Sequence, residues 1–436
     1  MWPPRTCVLA TVCAGASIIF GLAPASAQLL GIPQINVPLP PPGEKPEPGP
    51  IGVLERPRPE LQPQGFQLSG VSAFPSLVVG STYDSNIYAT GSNPLGDLLF
   101  NQHPALNLNT APSLTSFRFS VYGDFVEYLN SSQLSNVNGG ALLGIRGDLA
   151  PTLLLESQTG VVYGHQDPAS FSASVVNGPV PYLPAYTQFQ QTLSATREVG
   201  ALGASLSGSF RRSTYQDVLV NGALLNQSQF NGNTYSVSPK VSYVISPPTR
   251  LYLQATYERS AYDSGNNDST SYTGVLGSEF EFRRLIRGNV YGGFTQWAYD
   301  SSAMGAFRTF TYGVDVVWYP TEILTAKLSG KQYFSNSATP TATTTASLVN
   351  TKALQGQLDY EAGYQVILSA VAAYENDSYE SVSRVDNIVK IGLTARYMVN
   401  SGASIDLVYL YTTRQSSQVG FSYDRQQVGL ALKLQY

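Results

Sequence analysis

From about residue 71 to the end of the chain, apolar and polar residues alternate with a period of two. That spacing puts successive side chains on opposite faces of a β-strand. Phe117, Phe119, Val121 and Phe125 share one face, and Arg118, Ser120, Tyr122 and Asp124 share the other. Leu251, Leu253, Ala255 and Tyr257 oppose Arg250, Tyr252, Gln254, Thr256 and Glu258. Phe310, Tyr312, Val314, Val316 and Trp318 oppose Asp315. Leu324, Ala326 and Leu328 oppose Lys327, and Val389, Ile391, Leu393 and Tyr397 oppose Lys390 and Arg396. A helical period would scatter these charges around a cylinder, whereas a strand gathers them on one side. Pro239 interrupts one such run, which places it at a rim or bulge.

The connections alternate as well. Short breakers stand near Ala111, Ala150, Val199, Ser246, Leu285, Tyr319, Ala362 and Asn400. Longer polar loops lie between them, among them residues 84–97, 131–138, 167–181 and 336–345. Eight turns and nine loops predict about 18 strands, with 16 as the alternative count. Short turns at one end and long loops at the other are the layout of an outer-membrane barrel. The expectation for residues 67–436 is therefore an all-β transmembrane antiparallel β-barrel with short periplasmic turns and longer extracellular loops. A soluble sandwich or propeller is the competing reading. Against it stand the apolar face on nearly every strand, the strand lengths, and aromatic residues near strand ends. Tyr83, Tyr88, Tyr128, Tyr163, Tyr262, Trp297, Tyr299, Trp318 and Tyr319 are expected in two interfacial girdles. Loops 167–181 and 336–345 are expected to fold into the lumen.

The last strand sets Val428, Leu430, Leu432, Leu434 and Tyr436 against Lys433 and Gln435. In a barrel its apolar set faces lipid, and it must pair with the first strand so that no open edge meets hydrocarbon.

Composition adds the address. Charged residues make up 12% of the chain, against about 25% in an average soluble domain. Arg5, the apolar stretch from Cys7 to Phe20, and Ala25-Ser26-Ala27 read as a signal peptide over residues 1–27. Residues 28–66 are crowded with proline and read as a periplasmic linker or arm, since proline cannot donate to a sheet. Cys7 and Cys13 both lie in the leader, so the exported chain has no thiol chemistry. A net charge of −4 without a basic patch argues against nucleic acid. No cofactor is implied.

Two stretches carry a resemblance. The C-terminal strand, through Leu430, Leu432, Leu434 and Tyr436, resembles the terminal signature that the barrel-assembly machinery recognises in bacterial outer-membrane proteins. Pro75, Ser76, Leu77, Gly80, Tyr83, Asp84, Asn86, Ile87 and Tyr88 resemble the opening strand of the putative β-barrel porin 2 family, with Ser85 where that family usually has a second Asp. The resemblance implies a bacterial outer-membrane location, outer-membrane lipids as surroundings, and no enzymatic activity. It also points to exopolysaccharide export, with periplasmic polysaccharide export proteins as partners.

A barrel of this size encloses an aqueous channel. The candidate lumen lining is Arg118, Asp124, Arg146, Asp148, Arg250, Glu258, Asp315, Lys327, Lys331, Asp359, Lys390 and Arg396, joined by Arg211, Glu279, Glu281, Arg283, Asp406 and Lys433. Such a set reads either as a hydrated wall of ion pairs or as a selectivity filter. Inward Tyr122 and Tyr252 are candidate sugar platforms. His103 and His165 show no ligand spacing, and no Ser–His pairing for a hydrolase is legible. The leading function is an outer-membrane channel, passive or weakly selective. The alternative is a non-enzymatic surface scaffold or receptor whose lumen is plugged by residues 28–66.

Overall fold

The computed structural model describes residues 50–111, 113–167, 183–220, 223–225, 227, 230–265, 267–301, 305–337, 347–380 and 383–436. The predicted leader and most of the proline-rich arm lie outside these, as do nearly all of loops 167–181 and 336–345.

Eighteen strands form the wall. They are β1 Val71–Asp84, β2 Asp97–Thr110, β3 Thr115–Tyr128, β4 Asn136–Ala150, β5 Leu153–His165, β6 Ala185–Val199, β7 Leu202–Tyr215, β8 Gly232–Ser246 and β9 Thr249–Tyr262. The second half is β10 Ser269–Phe282, β11 Ile286–Tyr299, β12 Ala306–Thr321, β13 Leu324–Ser337, β14 Ser347–Gly363, β15 Val366–Tyr379, β16 Arg384–Asn400, β17 Ala403–Ser416 and β18 Tyr423–Gln435. Each pairs antiparallel with its neighbours in chain order, and β1 pairs with β18 from Ser76↔Gln435 to Asp84↔Gln427. The sheet is closed.

Closure at the turn end uses one further element. The short strand Phe66–Leu68 turns back through Ser69 and Gly70, both at positive φ, and pairs with Val71 to Ala73. It occupies the edge of β1 below the end of β18. There the Tyr436 N–H donates to Pro75 O at 3.1 Å, and the Phe66 and Tyr436 rings lie 6.1 Å apart.

The outward register is apolar around the wall. Leu206, Leu253, Leu276, Phe294, Leu358, Leu407 and Leu430 are all exposed, while polar positions one residue away point into the bore. Leu253, 62% exposed near the middle of β9, gives a direct check. Leu253→Arg is expected to cost about 2–4 kcal/mol at the membrane midplane. Gln254→Arg, on the inner face, should cost far less. Unfolding in lipid vesicles measures both, and equal costs would refute the assignment of faces.

Prolines sit at ladder faults, as their missing N–H requires. The β8–β9 ladder skips Ser238 and Pro239 between Val237↔Tyr257 and Lys240↔Gln254 with its register unchanged, so Pro239 stands mid-strand and not at the rim or bulge the pattern predicts. Pro320 lies in a bulge inside β12 rather than in a turn, so β12 runs on past Tyr319, where the sequence pattern expected it to stop. Arg283, expected in the lumen, instead occupies a turn beside Arg284. Both have φ near 50°, as tight hairpin turns demand.

One seam departs from simple closure. β12 and β13 pair only from Thr321↔Leu324 to Gly313↔Lys331, although both strands continue toward the loop end.

Candidate functional site

The candidate site is the bore and its two mouths. Arg118, Asp124, Arg146, Asp148, Arg250, Glu258, Asp315, Lys327, Lys331, Asp359, Lys390 and Arg396 all occupy inward register positions of their strands. Most are paired with neighbouring side chains. Arg146 reaches Asp148 at 3.4 Å and Glu156 at 3.8 Å, Arg250 meets Glu198 at 2.8 Å, and Arg396 meets Asp406 at 2.8 Å. Lys390 stands 3.7 Å from Glu375, and Ser329 donates to Asp315 at 2.6 Å. Asp359 is fully buried and accepts from Gln357 and Ser369. The wall therefore carries both signs, matched locally across adjacent strands.

Inner tyrosines lie against the wall. Tyr252 packs on Gly277 of the next strand, so closely that a Cβ there would stand 2.3 Å from its ring. Its hydroxyl donates to Asn289 at 2.9 Å, and Lys240 Nζ lies 4.1 Å from the ring centroid. Tyr122 lies on Gly140 in the same way. His103 stands beside Tyr122 and 3.9 Å from Asp124, and His165 hydrogen-bonds Asn138. Tyr83, Tyr163 and Trp318 face outward as girdle residues should. Tyr88, Tyr128, Trp297, Tyr299 and Tyr319 do not. They are buried on the bore side, where loops and neighbouring strands cover them.

At the loop end, the stretch Asp84 to Tyr88 turns into the bore. Asp84 is fully buried and accepts from Arg425 Nε and Nη2 at 2.9 and 2.6 Å, and from Gln427 Nε2 at 2.9 Å. It also accepts the Asn86 N–H at 2.9 Å. Asn86 then clamps the loop, donating to Thr90 O and Asp424 O and accepting from Thr90 N. This turns Ile87 and Tyr88 inward onto Leu99, Tyr128 and Leu134. Asp97 fixes the second loop by accepting from Asn130 N and Ser131 N. These inward loops were not expected. The legible signal is the presence of apolar residues, Ile87, Tyr88 and Leu134 among them, in loops rich in polar residues. Nearby, Arg384 pairs with Asp386 between the rings of Tyr379 and Phe421.

On the outer side of the same end, Arg212 pairs with Asp263 and Arg259 with Asp300, each through two hydrogen bonds. The guanidinium beside each loop carboxylate holds it below the usual carboxylate range.

The lap between β12 and β13 lies at this end too. Thr311 Oγ1 donates to Gln332 O at 3.1 Å, and Gln332 Nε2 donates to Thr309 Oγ1 at 3.4 Å. Phe334 and Leu348, on the register of outward Leu328 and Leu354, are buried against Trp297 and Tyr299 with Phe307. The upper ends of β13 and β14 have therefore slipped inside β11 and β12.

At the turn end, residues 50–61 enter the bore. The Val53 N–H donates to Thr325 Oγ1 at 2.9 Å, and Val53 is fully buried. Arg58, 4% exposed, reaches Glu361 at 2.7 Å and Val53 O at 3.0 Å. Arg56 joins Glu361 at 3.1 Å, and Glu55 approaches Lys327 at 3.7 Å.

A sequence profile of the family described as putative beta-barrel porin 2 matches residues 58–436. The structure of OpdK with vanillate from Pseudomonas aeruginosa is similar at a TM-score of 0.45 and 11% identity, over 84% of this chain and 99% of that one. A BenF-like porin from Pseudomonas fluorescens Pf-5 gives 0.46 and 12%, over 84% and 99%. OccAB2 from Acinetobacter baumannii gives 0.47 and 10%, over 86% and 99%. Among curated proteins none matches the chain.

Proposed function

We propose, for a chain that belongs to the putative beta-barrel porin 2 family and so is a porin-like protein of the bacterial outer membrane, passive or weakly selective diffusion of hydrophilic solutes through the bore. The observation that carries this reading is the matched wall of Arg, Lys, Asp and Glu pairs facing inward behind an apolar exterior. Such a lining keeps water in the bore and sets a weak local field rather than one dominant sign. No covalent step is needed.

The resemblance also points to exopolysaccharide export, and the inner wall lends that little. Tyr252, a platform a sugar chain could stack on, has one face on Gly277 and Lys240 close to its ring. The plugged alternative draws support from residues 50–61, and it enters the present reading as a partial closure of the periplasmic mouth. Leu430, Leu432, Leu434 and Tyr436 face outward on the closing strand, in keeping with a role as the signal read by the barrel-assembly machinery.

Reconstitution in a planar bilayer tests the reading. Discrete single-channel currents are expected, with cation and anion permeabilities close to each other. A silent bilayer from a heat-modifiable, folded preparation would defeat it.

A further inference from the structure

A membrane wall that leaves backbone unpaired is costly, because lipid offers no partner for N–H or C=O. This barrel leaves such an edge. Residues 306–312 of β12 pair with β11 but with no strand on the β13 side among the described residues. At a rise of about 3.4 Å per residue, that edge is about 20 Å long. Phe310 and Tyr312 on it face outward, within the apolar band. The edge therefore lies at the level of the outer leaflet.

The contents of the lap are as unusual as its edge. Aromatic and aliphatic side chains from both layers meet there: Trp297 and Phe307 from outside, Phe334 and Leu348 from inside. The polar contacts that join the two layers are uncharged, between Thr309, Thr311 and Gln332, while Arg308 on the edge reaches Gln296 of its own layer. Trp297 is 4% exposed and its indole N–H has no acceptor among the described residues. A buried donor left open costs about 1–3 kcal/mol, and an arriving acceptor would recover it.

We propose that the lap is a lateral gate through which apolar, uncharged solutes bearing one hydrogen-bond acceptor pass between the bore and the outer leaflet. The two layers are joined by side-chain packing and Thr–Gln hydrogen bonds, so they part without breaking a β-ladder. Charged solutes are excluded by the lining and keep to the axial path. The gate goes beyond the axial channel proposed above and has its own readout.

The test bridges the two layers. Thr309→Cys with Gln332→Cys, joined by a short bis-methanethiosulfonate, holds β12 and β13 in the lap. Val316→Cys with Leu328→Cys, an outward-facing pair on the paired stretch of the same strands, is the control. Both are made in the full chain, and heat-modifiable mobility selects folded protein. The probe is N-phenyl-1-naphthylamine, which fluoresces on entering lipid, added to intact cells.

Cells producing the chain should take up the dye faster than cells without it. Bridging the lap should return uptake to the rate of cells lacking the chain, and reductant should restore it. Bridging the control pair should change nothing, and ionic current through the bridged lap variant should equal that of the unbridged protein. Uptake unaffected by the lap bridge, uptake no faster than in cells without the chain, or dye and current falling together would each overturn the gate. A protein that carries dye but no current would sink the axial reading and leave the gate standing.

Discussion

Asp84→Ala should lower the temperature at which the folded band converts to the unfolded one more than any other single change in the bore. Asp84 joins the ends of the closure: it terminates β1 and holds Arg425 of β18. Both side chains are buried, Asp84 completely. Removing one partner of a buried pair leaves the other charge uncompensated, at about 3–5 kcal/mol. Among the described residues Arg425 would keep the carboxylate of Asp167, at 3.4 Å. The substitution also removes the acceptor for the Asn86 N–H, so the clamp that turns Ile87 and Tyr88 inward should loosen. Two readouts should move together, with the thermal transition falling and single-channel current rising as the extracellular mouth widens. Asp84→Ala with Arg425→Leu should recover part of the stability, because no orphan charge then remains. It should not recover the narrow mouth, because the Asn86 anchor is still gone. A double variant no more stable than Asp84→Ala alone would show that Arg425 is not the cause.

Period-two alternation made the strands, their number and the segregation of charge legible, because lipid on one side and water on the other act on every strand locally. Turns were legible where Pro and Gly coincide with a chain reversal, as at Pro247-Pro248, and misread where proline sits in a bulge, as at Pro320. What alternation cannot carry is which surfaces inside the barrel are covered by other parts of the chain. Asp84 and Arg425 are 341 residues apart, and nothing local marks them as partners. Tyr88, Tyr128, Trp297 and Tyr299 have the composition and end-of-strand position of girdle aromatics, yet loops and lapped strands bury them inside. Phe334 and Leu348 continue an outward register and would be assigned to lipid on pattern alone. The break in the β12–β13 ladder instead lays them against the inner face of β11 and β12.

The periplasmic mouth yields the second large effect, an increase in current on Glu361→Ala. Glu361 receives both Arg56 and Arg58, and among the described residues it is the one carboxylate holding that pair of arginines to the wall. Arg58 in turn donates to Val53 O, and the Val53 N–H is held by Thr325. Loss of the carboxylate leaves Arg58 buried without an anion, and release of residues 50–61 into the periplasm rehydrates it. The barrel itself should be little affected, since β14 keeps its full ladder with β13 and β15. The expected result is therefore a larger single-channel current with an unchanged thermal transition, the reverse of the stability loss at Asp84. Glu361→Asp should keep part of the closure, because the charge remains. Deleting residues 28–61 should give the same large current, and adding Glu361→Ala to that deletion should raise it no further. That last equality separates a removable closure from a change in the pore wall: if Glu361→Ala still increased current in the deleted chain, the side chain would be acting on the bore directly and not through the segment it holds.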